Sequence, residues 1–241
     1  MNAVITAGGR VKPPLSMKIG TTVKALAVVG GTTMLERAIA AARKAGAQRV
    51  AVVGGDEVRA ACGALIDRFI AEGTTGAENV QRALSVFTGD LLYLTSDLPF
   101  LSGSALNEFV TRVPRGTIAM PLADARAYER RFPHAPTHAT VIGDERLANG
   151  SAFFIPAGAA PKIAAVAQRL FNARKSLFAM ATLLGPRVLV KFALHRLSIA
   201  DIESRAARAL GVPALAVRDC APELCYDIDD LEDYEYACAR H

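Results

Sequence analysis

A chain of 241 residues, 51% apolar and 21% charged with no tryptophan, has the composition of a soluble globular protein and the length for one large α/β domain or two small ones. Its net charge of +5 suits an anionic small molecule, but the basic residues are scattered singly, with no basic block interleaved with aromatics, which argues against a nucleic-acid partner. No apolar run reaches the roughly 18 residues of a membrane span and the N-terminus lacks a charged-then-apolar signal pattern, so no membrane association and a cytoplasmic location are expected.

The opening, Asn2-Ala3-Val4-Ile5-Thr6, reads as a strand buried on both faces, because its apolar run is continuous rather than alternating. It breaks into Ala7-Gly8-Gly9-Arg10. Two glycines let the backbone turn sharply and approach a ligand, leaving N–H groups bare to cradle an anion. Alone, such a pair is more often a tight turn, and its meaning depends on what the rest of the chain supplies.

Val11 to Val23, with Pro13, Pro14 and Gly20, reads as an irregular excursion that ends in Lys24-Ala25-Leu26. Thr33-Met34-Leu35-Glu36 has capping-box spacing and predicts a helix through Ala45, stopped by Gly46. Arg49 to Val53 is a second buried strand, so the first third reads strand, helix, strand, with parallel pairing through a right-handed crossover. One helix is expected from about Glu57 to Ala71, and another from Glu78 to Phe87 after the polar connection Gly73 to Gly76. Asp90 to Thr95 is the strongest central strand and delivers Asp97 to its carboxyl end, where open α/β sheets gather their ligands.

A helix from Ser104 to Val113 and a strand from Thr117 to Leu122 follow. Between Asp124 and Val141 the pattern loosens around Pro133, Pro136 and the run Glu129-Arg130-Arg131. Two further strands, Thr137 to Ile142 and Ser151 to Ile155, enclose 143–150, either a hairpin loop or the wall of a substrate pocket. A helical tract spans Ala159 to about Ala193 with a break near Gly185-Pro186. A helix from Ile199 to Leu210, capped by Ser198 and stopped by Gly211, precedes a strand at Ala214 to Val217. The reading is one domain, 1–241, with a helical insertion at about 159–211. The four cysteines form no Cys-x-x-Cys pair and read as reduced thiols, and Pro133 and Pro136 disfavour the helix that His134 and His138 would need as metal ligands.

Chemistry is suggested by a combination. A glycine loop, a lysine, Asp97 and the distant pair Asp227-x-Asp229 are the minimum set for moving a nucleotidyl group: amides and lysine neutralise phosphates, and carboxylates hold a hard divalent cation. Taken singly, Asp97 before Leu98-Pro99 suits a turn and Asp229 to Asp233 suits an acidic helix start.

These residues resemble the MobA-like NTP transferases. The resemblance rests on Ala7-Gly8-Gly9-Arg10, Lys24-Ala25-Leu26, Gly31-x-x-Met34-Leu35-Glu36, Asp97-Leu98-Pro99-Phe100 and Asp227-Ile228-Asp229-Asp230-Leu231-Glu232-Asp233, in the family's order across nearly the whole chain. It implies a three-layer α/β/α sandwich with a mostly parallel mixed sheet, and a Mg²⁺-dependent nucleotidyltransferase joining an NTP to a small phosphorylated acceptor with release of pyrophosphate. Carried over by position, Ala7, Gly8, Gly9, Arg10 and Lys24 hold the nucleotide, with Gly76 and Asn79 near its base. Asp97 and Asp229 hold the metal, with Asp227 as the fallback, and Asn149, Gly150 and Ser151 lie near the acceptor segment. The resemblance also leaves room for a homodimer.

Three departures matter. Lys24 follows a longer, Pro-containing excursion than the family's loop, which makes Lys18 a rival for the phosphate role. Asp230-Leu231 replaces a Thr-Pro. The long helical tract points to an acceptor other than molybdopterin. The competing readings are a glycosyltransferase of related fold, disfavoured because Leu98-Pro99 follow Asp97 where that class has Asp-x-Asp, and a non-catalytic protein that binds nucleotide or sugar phosphate.

Overall fold

The computed structural model describes residues 1–136, 139–173, 185, 188, 190–191, 194 and 196–241. In chain order these form β1 (Asn2–Thr6), α1 (Leu15–Ile19), a small hairpin of β2 (Val28–Val29) and β3 (Thr32–Thr33), α2 (Met34–Lys44), β4 (Val50–Gly54), α3 (Asp56–Cys62), β5 (Arg68–Ala71), α4 (Gly76–Leu84) and β6 (Leu91–Thr95). The second half contains α5 (Gly103–Thr111), β7 (Ile118–Asp124), α6 (Ala125–Arg131), β8 (Thr140–Ile142), β9 (Glu145–Asn149), β10 (Ala152–Ile155), α7 (Ala160–Ala173), α8 (Ile199–Leu210), β11 (Ala214–Val217) and α9 (Leu231–Ala239).

The main sheet runs β5-β4-β1-β6-β10-β7-β9-β8, with β11 also paired to β7. The half containing β5, β4, β1 and β6 is parallel, β10 runs antiparallel to both β6 and β7, and β11 runs parallel to β7. β1 lies at the centre because both its faces are covered. Ala3 and Ile5 share one core with Val50, Val52, Leu92, Leu94 and the apolar sides of α2 and α5, while Val4 meets Ala51, Val53 and Leu91 beneath α4 and α7. Two covered faces demand a continuous apolar run, which is what residues 3–5 supply. The result is the expected three-layer α/β/α sandwich.

From β1 the chain first builds outward to β4 and β5, then returns to add β6 on the other side. That reversal opens a crevice at the carboxyl ends of β1 and β6, the place where doubly wound sheets bind ligands. The loop after β1 and the Ser96-Asp97 turn after β6 are therefore neighbours by topology.

Local signals account for most boundaries. Thr33 caps α2 in a reciprocal box with Glu36, Ser198 does the same for α8 with Asp201, and Gly211 ends α8 at φ 68°. Four expectations change. The helix expected to continue to Ala71 stops at Cys62, and Arg68–Ala71 is instead β5, pairing parallel with β4. Phe69 and Ile70 are only half buried at this sheet edge, so four residues carry too little pattern to announce a strand.

The loose stretch after Asp124 hides α6: Asp124 accepts a hydrogen bond from Ala127 N at 3.0 Å, Tyr128 is buried, and Glu129-Arg130-Arg131 is the outer surface of the same helix. Residues 143–150 contain a strand, β9, as well as a pocket wall. The excursion at 11–23 contains the five-residue α1. Of the long helical tract, α7 is the described part, and the expected break at Gly185-Pro186 lies outside the described residues apart from Gly185.

Candidate active site

The glycine loop leaves β1 with Ala7 buried and its N–H bonded to Val53 O at 2.8 Å. Gly8 and Gly9 then line a cavity of about 480 Å³, together with Arg10, Lys24, Thr74, Thr75, Gly76, Asn79, Tyr93 and Asp97, among others. Glycine is needed at position 8 for close approach: a Cβ there would lie 2.5 Å from Glu72 Oε2 and 2.8 Å from Asn79 Nδ2. Asn79 in turn accepts from Gly73 N at 2.6 Å and so ties the start of α4 to the preceding turn. Thr75 caps that helix, whose amino end faces the cavity. Arg10 pairs with Glu72 and donates to Gly8 O at 3.0 Å, which closes one side of the loop.

Lys24 begins a tight 3₁₀ turn, Lys24–Leu26, and its N–H donates to Gly9 O at 3.0 Å, so the lysine is fastened to the glycine loop. The longer excursion therefore still delivers it to the pocket. Its Nζ lies 2.8 Å from Asp97 Oδ2 and 2.8 Å from Asp229 Oδ1, and the side chain is only 13% exposed. Lys18, the rival, is an exposed residue paired with Glu235 at 3.3 Å. Burial pulls the Lys24 ammonium toward deprotonation, but the carboxylates of Asp97 and Asp229 outweigh it and hold its pKa above the ordinary lysine value.

The last turn of chain is stitched to β6 by one bond, Ile228 N to Asp97 O at 3.1 Å. The stitch brings carboxylate oxygens of Asp97, Asp227 and Asp229 within 4.8 Å of one another. Asp229 was expected at the metal and Asp227 as its fallback, and both stand beside Asp97. The acidic run divides its labour. Asp230 caps α9, and Asp233 accepts from the N–H groups of Asp229 and Asp230 at 2.8 and 3.1 Å, leaving Asp227 and Asp229 to face the pocket. Buried Tyr226 anchors the turn by donating to Asp233 O at 2.9 Å.

Asp97 Oδ1 is buried and has no hydrogen-bond partner among the described residues. A buried carboxylate oxygen left without a donor, beside two further carboxylates, is a donor set that fits a hard divalent cation. Asp227 responds to the same crowding: burial, with Asp97 and Asp229 adding to it, pushes its pKa up to about 6 against the pull of Lys24.

On the far side of the carboxylates lies a second cavity of about 200 Å³, lined by Tyr128, Ala148, Asn149, Gly150, Ser151, Cys225, Asp227 and Asp229. The backbone of its wall is fixed by Gly150 N to Pro121 O at 2.9 Å and Ser151 N to Leu224 O at 3.0 Å. Asn149, Gly150 and Ser151 thus sit where the acceptor segment was expected, while Gly76 and Asn79 sit in the larger cavity. The sequence reading missed Glu72, Thr74, Thr75 and Tyr93 in the first cavity and Tyr128 and Cys225 in the second. Only Thr75 carried a signal, as a hydroxyl cap three residues before Glu78.

A phosphate-sized glycine loop at a topological switch point, with a buried lysine and strand-end carboxylates, defines an α/β sandwich of the nucleotidyltransferase type. The MobA-like NTP transferase domain matches residues 3–225, and the chain belongs to that family. No curated protein sequence matches it. Among solved structures it is similar to a hypothetical transferase from Thermus thermophilus, at 29% identity and a TM-score of 0.85 over 97% of this chain and 100% of that one. The fold is shared with 2-C-methyl-D-erythritol 4-phosphate cytidylyltransferase from Thermus thermophilus (21% identity, TM-score 0.52, covering 99% and 97% of the two chains). It is also shared with Rv0371c of Mycobacterium tuberculosis H37Rv, solved as a complex with manganese (17% identity, TM-score 0.57, covering 99% and 97%). Among the described residues no helix is long and apolar enough to cross a membrane.

Proposed function

We propose that this NTP-transferase-family protein transfers an NMP group from an NTP to a small phosphorylated acceptor, with Mg²⁺ as cofactor and pyrophosphate as the second product. The observation that carries the reading is the position of Lys24 Nζ, bonded at 2.8 Å to one carboxylate lining the large cavity, Asp97, and to another lining the small one, Asp229. The reacting phosphates of two substrates would meet there.

In this reading the glycine loop, Arg10 and the amino end of α4 hold the triphosphate and nucleoside in the large cavity. An acceptor phosphate oxygen attacks the α-phosphorus in line, the new P–O bond forms as the bond to the β-phosphate oxygen breaks, and pyrophosphate departs with its electron pair. Lys24 stabilises the charge that builds on the α-phosphoryl oxygens, and its pairing with Asp97 and Asp229 keeps it positioned beforehand. Asp97, Asp227 and Asp229 would hold the Mg²⁺, which supplies charge neutralisation for the phosphates. The chain's own contribution is positioning and electrostatics rather than a covalent intermediate. Manganese in the Rv0371c structure and the cytidylyltransferase named above support a divalent ion and a phosphate-bearing acceptor as substrate chemistry for this fold.

The test is acceptor-dependent pyrophosphate release, measured with each of the four NTPs and Mg²⁺. Release that needs NTP, Mg²⁺ and a phosphorylated acceptor together, and disappears in Asp97→Ala, is the expected outcome. Consumption of a nucleotide sugar without pyrophosphate would overturn the reading.

A further inference from the structure

The smaller cavity has a chemistry of its own. Resting on the reading that it receives the acceptor, we propose that the acceptor is a small phosphomonoester whose tail is uncharged and hydroxyl-bearing, held by Asn149, Ser151 and Tyr128, rather than a carboxylated, amine-bearing or bulky compound.

Size is the first argument. About 200 Å³ is below the roughly 300–1,000 Å³ of pockets that enclose drug-sized ligands, so the tail is a few carbons long. Charge is the second. Among the described residues its charged lining groups are Asp227 and Asp229, and it has no lining Lys or Arg. The nearest placed cation is Lys24, at the carboxylate edge where the reacting phosphates would meet. A phosphate can therefore be met at that edge, but a second anionic group deeper in the cavity would face Asp227 without a counter-ion.

Hydrogen-bonding capacity is the third argument. The wall's backbone amides at Gly150 and Ser151 are already spent on Pro121 O and Leu224 O. The side chains of Asn149 and Ser151 make no hydrogen bond within the described protein and offer a carboxamide and a hydroxyl, each able to donate and accept. Tyr128 adds a phenol whose one contact, to Pro136 O, is long at 3.4 Å. A row of neutral groups that both donate and accept matches vicinal hydroxyls. An amine tail would find Asp227 and Asp229, but those carboxylates are the ones that hold the metal, so a cation beside them would compete with it.

The experiment separates the two cavities. Thermal shift with each NTP and Mn²⁺ reads the large cavity without any acceptor. Pyrophosphate release is then measured with glycerol 3-phosphate, with 3-phosphoglycerate, which differs by a carboxylate in place of the terminal hydroxymethyl, and with phosphoethanolamine. The expected result is a nucleotide-dependent shift, kcat/KM at least tenfold higher for glycerol 3-phosphate than for either charged analogue, and Ser151→Ala and Asn149→Ala raising its KM severalfold while leaving the nucleotide shift as in the native protein. A nucleotide shift with equal or better turnover of a charged analogue, or with no turnover of glycerol 3-phosphate, overturns the tail assignment and leaves the nucleotide site standing. Absence of any nucleotide shift overturns the parent reading and the tail assignment together.

Discussion

Replacing Lys24 by Met keeps the length and apolar character of the stem and removes the ammonium. In the native protein that ammonium lies 2.8 Å from Asp97 and Asp229, largely shielded from water at 13% exposure. Losing one preorganised electrostatic donor at a reacting centre typically costs about 10²–10³ in turnover, or about 2.7–4 kcal/mol of transition-state stabilisation. Stability should move far less, because Asp229 is 64% exposed and an ion pair open to water contributes about 0–1 kcal/mol. Metal affinity should move the other way. With the ammonium gone, Asp97, Asp227 and Asp229 lose their internal competitor, and the nucleotide-free protein should bind Mn²⁺ more tightly than the native one.

Three measurements decide the matter: steady-state pyrophosphate release at saturating Mg²⁺, the melting temperature, and Mn²⁺ titration by calorimetry. Turnover within about threefold of native, with Mn²⁺ binding unchanged, would refute the role given to Lys24. A collapse of melting temperature by tens of degrees would refute the discount for exposure.

The remaining predictions concern the carboxylates and the two walls. Asp227, with its pKa raised to about 6 in the folded protein, binds a proton that the unfolded chain has already released, so its contribution lowers stability as pH rises from about 4 to 6. Asp227→Asn should remove that decline and, above pH 6, stabilise the metal-free protein by about 1–2 kcal/mol, read from melts across pH 4–8. Gly8→Ala should raise the KM for NTP at least tenfold with little change in melting temperature, since its methyl group would press on Glu72 and Asn79 in the nucleotide cavity; an unchanged KM would remove Gly8 from the site. Asp233→Ala, which withdraws the acceptor for Asp229 N and Asp230 N, should cost about 1–2 kcal/mol and lower activity through displaced carboxylates; full activity would show that the α9 cap does not position them.

Much of the parallel half was legible in the sequence because its signals are local. Residues 3–5 and 50–53 announce buried strands by continuous apolar runs, and Thr33, Ser198 and Gly211 mark helix ends with their own side chains or lack of one. What escaped was decided by neighbours far along the chain. Arg68–Ala71 is a strand because β4 offers it an edge, although its residues continue a passable helical pattern. Tyr128 is a pocket residue because α6 packs beside the turn that carries Asp227, which no spacing in 124–141 reveals.

The candidate site divides in the same way. The glycine loop, Lys24, Asp97 and Asp229 could be chosen from residue types and order, whereas the choice of Lys24 over Lys18 needed geometry. That Asp227 and Asp229 both face Asp97 depends on the single bond from Ile228 N to Asp97 O and on Asp233 holding the turn, interactions between groups that the sequence does not place side by side. Glu72 is the clearest omission: it follows an unexpected strand, and its place against Gly8 and Arg10 exists only because β5 joins the sheet.

The most direct measurement is a crystal structure with Mn²⁺ and a non-hydrolysable NTP analogue, with anomalous scattering used to locate the ion. The expected result is one manganese peak bound by Asp97 together with Asp227 or Asp229, the phosphates against Gly8 and Gly9, and Lys24 Nζ turned onto the α-phosphate. Nucleotide density outside that cavity, or manganese bound without Asp97, would contradict the shared site.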